Sequence, residues 1–274
     1  MHMKNRIYFI DGIRGLAAII ILLSHIVSAF YPILHSKDSR LLDSASPLIK
    51  VITCSPLNIF YYGSWGVVLF FIISGYVITY NYFNFGGNNY ITSSAFRRYF
   101  RLTIPALISC FIAYVLLKYD LFYNVKISPI TQSLWLDNFY HFEANIFDML
   151  KFAIYDEYFN FGIATNYRNA FLPPQVSYNA VLWVMRILFF GSMLIYSFLA
   201  IFGKVGKRYI LYIPLITLLH NSFYLCYILG MILCDLDVHN RLKGINRIIL
   251  SIIILLSIYI SSVRTFDFPF YSIL

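Results

Sequence analysis

Phe9-Ile10-Asp11-Gly12-Ile13-Arg14-Gly15-Leu16-Ala17-Ala18-Ile19-Ile20-Ile21-Leu22-Leu23-Ser24-His25-Ile26 is an apolar run broken by an acid, an arginine and a histidine. About 20 mainly apolar residues suffice to cross a bilayer as a helix, and the stretch Gly12–Leu34 meets that length. Its basic start resembles a signal peptide. Asp11 and Arg14 interrupt it and no A-x-A cleavage pattern follows, so it is expected to be retained as a first span. Six further stretches read the same way: Ser64–Tyr82, Leu102–Tyr119, Tyr178–Phe202, Tyr209–Leu219, Ser222–Leu236 and Ile248–Val263.

Composition agrees with that reading. Of the 274 residues, 60% are hydrophobic, against about 45–50% in an ordinary soluble domain. Charged residues make up 12%, roughly half the usual share, and the mean hydropathy is +0.71. A soluble enzyme of this size could not hide so much apolar surface, and disordered chains have the opposite bias. The expected fold is an all-α polytopic membrane bundle of about seven spans, with residues 1–274 as a single transmembrane domain.

A net charge of +9 could suggest nucleic acid. The positions argue against it, because Lys and Arg fall in short clusters between the apolar runs: Lys4 and Arg6; Arg97, Arg98 and Arg101; Lys204, Lys207 and Arg208; Arg241, Lys243 and Arg247. Positive charge flanking spans orients helices in a membrane, and these clusters alternate as a cytoplasmic N-terminus requires. The two long segments Leu34–Gly63 and Tyr119–Tyr178 then lie outside. Within the second, Ile127–Tyr158 reads as a loop carrying an interfacial helix, closed by Pro173 and Pro174. The fifth and sixth spans are short and adjoin at His220 and Asn221, as a tight hairpin or one bent element. Cys54, Cys110, Cys226 and Cys234 show neither metal-ligand spacing nor a disulfide framework.

Ionisable residues inside spans are costly and usually serve a site or a pathway. Arg14 and His25 are eleven residues apart, about 16 Å along a helix axis. Eleven steps of roughly 100° return to within about 20° of the starting direction, so both lie on one stripe. The arginine is expected near the cytoplasmic face and the imidazole near mid-bilayer. An anion-binding group thus stands at the entrance and a proton-transfer group deeper in. Arg98 and Arg101, at i and i+3, form a pair suited to phosphate oxygens; a plain topology cluster would need only charge. Arg186 is a third ionisable residue within a span.

These residues resemble a known family. Phe9-Ile10-Asp11-Gly12-Ile13-Arg14-Gly15-Leu16-Ala17-Ala18 followed by His25 is similar to the opening of the membrane-bound acyltransferase 3 family, whose hallmark is Arg, ten residues, then His. Gly63-Ser64-Trp65-Gly66-Val67-Val68-Leu69-Phe70-Phe71-Ile72-Ile73-Ser74-Gly75-Tyr76 resembles its second span. Arg98 and Arg101 followed by Pro105 match its Arg-x-x-Arg, and the block Leu182-Trp183 through Ser192 resembles its later Leu-Trp block.

The resemblance implies a bacterial O-acetyltransferase-like enzyme of the inner membrane, multi-pass. It would move an acetyl or other acyl group from acyl-CoA to a sugar hydroxyl of a surface polysaccharide or lipid-linked glycan, with no permanently bound cofactor, no metal and no nucleic-acid partner. Arg14, Arg98 and Arg101 would hold the CoA phosphates, and His25, as nucleophile or general base, would be catalytic together with Arg14. Two departures are visible. Relatives usually carry Glu where this chain has Leu188, and they are longer, with about ten spans. The alternative expectation is therefore a truncated, catalytically weak member acting as a membrane remnant or glycan-binding partner, and a third is a lipid-linked-sugar flippase.

Overall fold

The computed structural model describes residues 8–35, 45–85, 87–160, 173, 176–244 and 246–262. Lys4, Arg6, Pro174 and the end of the seventh expected span at Val263 lie outside them, as do parts of both long loops. All regular structure among the described residues is helical: α1 (Tyr8–Phe30), α2 (Pro47–Cys54), α3 (Gly63–Phe85), α4 (Gly87–Lys118), α5 (Asn124–Thr131), α6 (Leu134–Asp137), α7 (Ile146–Lys151), a π-helix (Phe152–Asn160), α8 (Trp183–Phe202), α9 (Tyr212–Leu219), α10 (Tyr224–Val238) and α11 (Arg247–Ser262). The chain is an all-α membrane helix bundle. Four helices are long and apolar enough to cross a bilayer: α1, α3, α4, and α8 with its leading 3₁₀ turn. The other three expected spans are helical but shorter.

Helix α3 is the hub. It packs on α1, α4, α8 and, most extensively, α10. Such a helix must be apolar on every face and small where backbones meet. A Cβ on Gly230 would stand 1.9 Å from the Ile72 carbonyl oxygen, and one on Gly75 2.2 Å from that of Tyr227. The α3–α10 crossing therefore depends on these two glycines. The outer surfaces of α1, α4 and α11 leave Leu16, Ile19, Leu22, Ile104, Ile108, Phe111, Ile253 and Leu255 more than half or nearly half exposed, a surface a soluble monomer could not carry.

Several sequence expectations change. The third expected span begins at Leu102, but α4 runs unbroken from Gly87, so the arginine cluster lies in the middle of a 32-residue helix. Its polar first half is held by packing, with Ile91 buried and Tyr90 edge-on to Tyr196 of α8. Pro105 sits inside α4 and cannot donate to the Arg101 carbonyl four residues back. The fifth and sixth spans form a hairpin of α9 against α10. Nor is Ile127–Tyr158 a purely interfacial loop: the π-helix packs on α4 and α8 with Phe152, Ala153, Glu157 and Tyr158 buried. The cause is aromatic, since Tyr158 meets both Tyr99 and Phe189.

Arg208, which the sequence groups with Lys204 and Lys207 as span-flanking charge, is buried. Its Nε donates to Asp235 Oδ2 at 3.1 Å and its Nη2 to Oδ1, while the Tyr212 hydroxyl donates to Oδ2. A charge out of water needs such a partner, and this one ties the start of the α9–α10 hairpin to its end.

Candidate functional site

Two compartments share one wall. The first is an arginine cluster. Arg14 of α1 lies within electrostatic reach of Arg98 and Arg101 of α4, so the structure brings together the three arginines that the sequence singled out. Asp11, one turn before Arg14, is the carboxylate within that reach. Three arginines thus gather with one acid beside Arg14, an excess of positive charge suited to a polyanion. Arg98 and Arg101 act electrostatically on the Tyr196 phenol, and Arg98 also on that of Tyr227. Arg97 takes no part, folding back on its own helix to bond the Ser93 carbonyl and hydroxyl.

The second compartment is a cavity of about 430 Å³ lined by His25. Ser24, Ser28, His35, Tyr62 and Ser64 give it a polar edge, and Phe70, Phe71, Trp183, Met185, Leu188 and Phe223 give it an apolar wall. Small-molecule sites commonly have this character, mostly apolar with a few placed polar groups. The wall between the compartments is Phe70: its ring lines the cavity, and the Arg14 Cζ stands 5.1 Å from its centroid. Leu188 joins them a second time. Leu188 lines the cavity while its carbonyl lies 3.5 Å from Arg98 Nη2.

His25 stands on a helix whose bounds differ from expectation. Helix α1 spans Tyr8–Phe30 rather than Gly12–Leu34, because Pro32 disfavours helical backbone at Tyr31 and Tyr31 leaves the helix at φ −136°. The imidazole therefore sits five residues, about 7.5 Å, from the end of the helix, nearer that end than the centre. Arg186 is fully buried in α8, within electrostatic reach of Tyr224, and does not line the cavity.

Sequence reasoning missed three residues here. His35 lines the same cavity, with its ring edge-on to Tyr61. Trp135 stacks on His25. Glu157 is a fully buried acid of the π-helix, and burial pushes its carboxyl up to about 8, so it is mainly neutral at pH 7. It does not line the His25 cavity; its neighbour Tyr158 packs on Phe189, one residue round α8 from Leu188. A π-helix is rare enough to have been a signal had it been readable, but nothing in the residues marks it.

The family model of an acyltransferase domain, that of acyltransferase 3, matches residues 7–273. The chain belongs to the acyltransferase 3 family. The match runs across both compartments, from before Arg14 to beyond α11. A curated relative, the O-acetyltransferase PaAT-1 of Phomopsis amygdali, is 23% identical over 251 residues, covering 83% of this chain and 48% of that protein. The chain thus spans about half the length of this relative. No solved structure matches it significantly.

Proposed function

We propose that this acyltransferase 3 member is an O-acyltransferase that moves an acetyl or other acyl group from acyl-CoA to a hydroxyl of a surface or lipid-linked glycan. The observation that carries the reading is the juxtaposition of the arginine cluster and the His25 cavity on one stripe of α1, with Phe70 between them. CoA carries several phosphates on one end and a thioester on the other. Arg14, Arg98 and Arg101 would take the phosphates, and the pantetheine arm would pass Phe70 to present the thioester beside His25. In this reading the cavity takes both the thioester and a hydroxyl, with His25 as general base. The hydroxyl oxygen attacks the thioester carbonyl, a C–O bond forms, the C–S bond breaks, and the hydroxyl proton passes through His25 to the departing thiolate.

Arg98→Ala tests this reading. Membrane vesicles given acetyl-CoA should show glycan gaining the mass of one acetyl group, and the variant should raise KM for acetyl-CoA by about tenfold, the loss of one charge-assisted phosphate contact. Arg98→Lys should recover little of it, because an ammonium lacks the guanidinium fork. Full recovery with lysine at both 98 and 101 would mean the pair serves orientation alone.

The reading places the enzyme in an inner membrane with its N-terminus and the arginine cluster facing the cytoplasm, since CoA does not cross a bilayer. Cys54 is exposed in the segment between α1 and α3, and Lys207 is exposed after α8. A membrane-impermeant maleimide added to intact cells should label Cys54 and spare a Lys207→Cys probe. Labelling of that probe from outside would overturn the orientation.

A further inference from the structure

We propose that Trp135 is a positioning residue for His25, held over the imidazole by a clamp that Ser133 makes on the end of α1. The proposal rests on the reading of His25 as the transfer residue. The indole and imidazole are stacked, with ring centroids 5.6 Å apart and planes at 21°. The two residues are far apart in sequence, so tertiary structure alone makes this contact.

The clamp is built from named bonds. Ser133 is fully buried, and its hydroxyl donates to the Ser28 carbonyl at 2.7 Å. Ser28 belongs to the last turn of α1, where carbonyls have no donor from their own helix. The same Ser133 oxygen accepts from the Leu136 N–H at 3.4 Å as the N-cap of α6. One hydroxyl thus satisfies an orphan acceptor of α1 and an orphan donor of α6, and fixes the second against the first. From the other side, Asn124 Nδ2 donates to the Leu136 and Phe139 carbonyls, both at 2.9 Å, and Ser128 donates to the Ser133 carbonyl at 3.1 Å. Phe139 packs edge-on to the indole at 4.9 Å. Trp135 is therefore held between Phe139 and His25.

Two consequences bear on transfer. A general base must aim a ring nitrogen at the acceptor hydroxyl, and a misplacement of about 1 Å can cost ~10²-fold. A face-on indole restricts rotation of the imidazole plane. When His25 takes the proton it becomes a cation over an aromatic face, which the ring quadrupole favours. Trp135 thus fixes the ring before the step and favours its charge during it.

The test uses the full chain in membrane vesicles. Diethyl pyrocarbonate acylates neutral imidazoles, and peptide mass mapping reads His25 with exposed His220 as reference. Trp135→Leu should raise the His25 rate severalfold and leave His220 unchanged. Ser133→Ala should move it the same way by less, and Trp135→Phe should keep most of the protection. With acetyl-CoA as donor, Trp135→Leu should lower kcat by ~10-fold or more with KM for acetyl-CoA unchanged, and Trp135→Phe should restore most of it. Unchanged His25 reactivity in both Trp135→Leu and Ser133→Ala would overturn the clamp. A loss shared by kcat and KM, or one that phenylalanine does not restore, would reduce Trp135 to a packing role. Full transfer by His25→Ala would instead remove the reading of His25 while the reactivity result stood.

Discussion

His25→Ala is expected to lower acyl transfer by ~10²–10⁴-fold, the usual cost of losing a general base, without disturbing insertion or the packing of α1 on the bundle. Helix α1 is anchored by Ile10, Ala17, Ile20 and Ala29, all buried, whereas His25 is half-buried and turned to the cavity. Removing the imidazole therefore enlarges a space that already exists. Donor binding should survive, because the arginine cluster lies across Phe70. The variant should bind acetyl-CoA as wild type does and fail to release its thiol to an acceptor, the reverse of the Arg98→Ala pattern. The measurement is thiol release in vesicles beside equilibrium binding of acetyl-CoA. Retention of more than about a tenth of wild-type transfer, far above what loss of a base allows, would return His25 to a helix-packing role.

Which features could be read from the residues, and which could not, follows from the range of the interactions. Apolar length alone locates α1, α3 and α8, and the eleven-residue spacing places Arg14 and His25 on one stripe of one helix. The polar run Asn88–Ser94 hides the first half of α4, because what holds it helical is packing, with Tyr90 against Tyr196 of α8 and Ile91 buried, and no local pattern records that. Arg208 looks like one of three similar span-flanking charges until α10 brings Asp235 to it from 27 residues away. Trp135 is harder still. Its segment reads as a loop, and the Ser133 bond to Ser28 and the stack on His25 are what show that it belongs to the end of α1. The end of α1 differs from the apolar run for a simpler reason: the run continues to Leu34, but Pro32 ends the helix at Phe30.

Leu188→Glu is expected to raise acyl transfer by ~10²-fold or more. The family resemblance leads to a carboxylate at this position, and the structure gives it a target. Leu188 lines the same cavity as His25, whereas Arg186, two residues earlier on α8, does not. Residues i and i+2 do not face each other on a helix, so a carboxylate at 188 would find the imidazole or Arg98 rather than Arg186. Beside His25 it would orient the ring and stabilise its protonated form, as the acid of a relay does; losing that acid elsewhere costs about 10⁴ in kcat. Glu157 does not supply the missing group, since it is buried outside the His25 cavity and held mainly neutral. The native chain should accordingly transfer slowly, with Trp135 as the described partner that holds His25 in place. Leu188→Gln fills the same space without the charge and should leave the rate near the native value, which separates relay from repacking. A charge buried without a partner is expensive, so thermal melting of Leu188→Glu should stay near wild type if the carboxylate has met the imidazole and fall if it has not. A fast native rate that Leu188→Glu leaves unchanged would mean that His25 works without an acid partner, and the relay would be wrong.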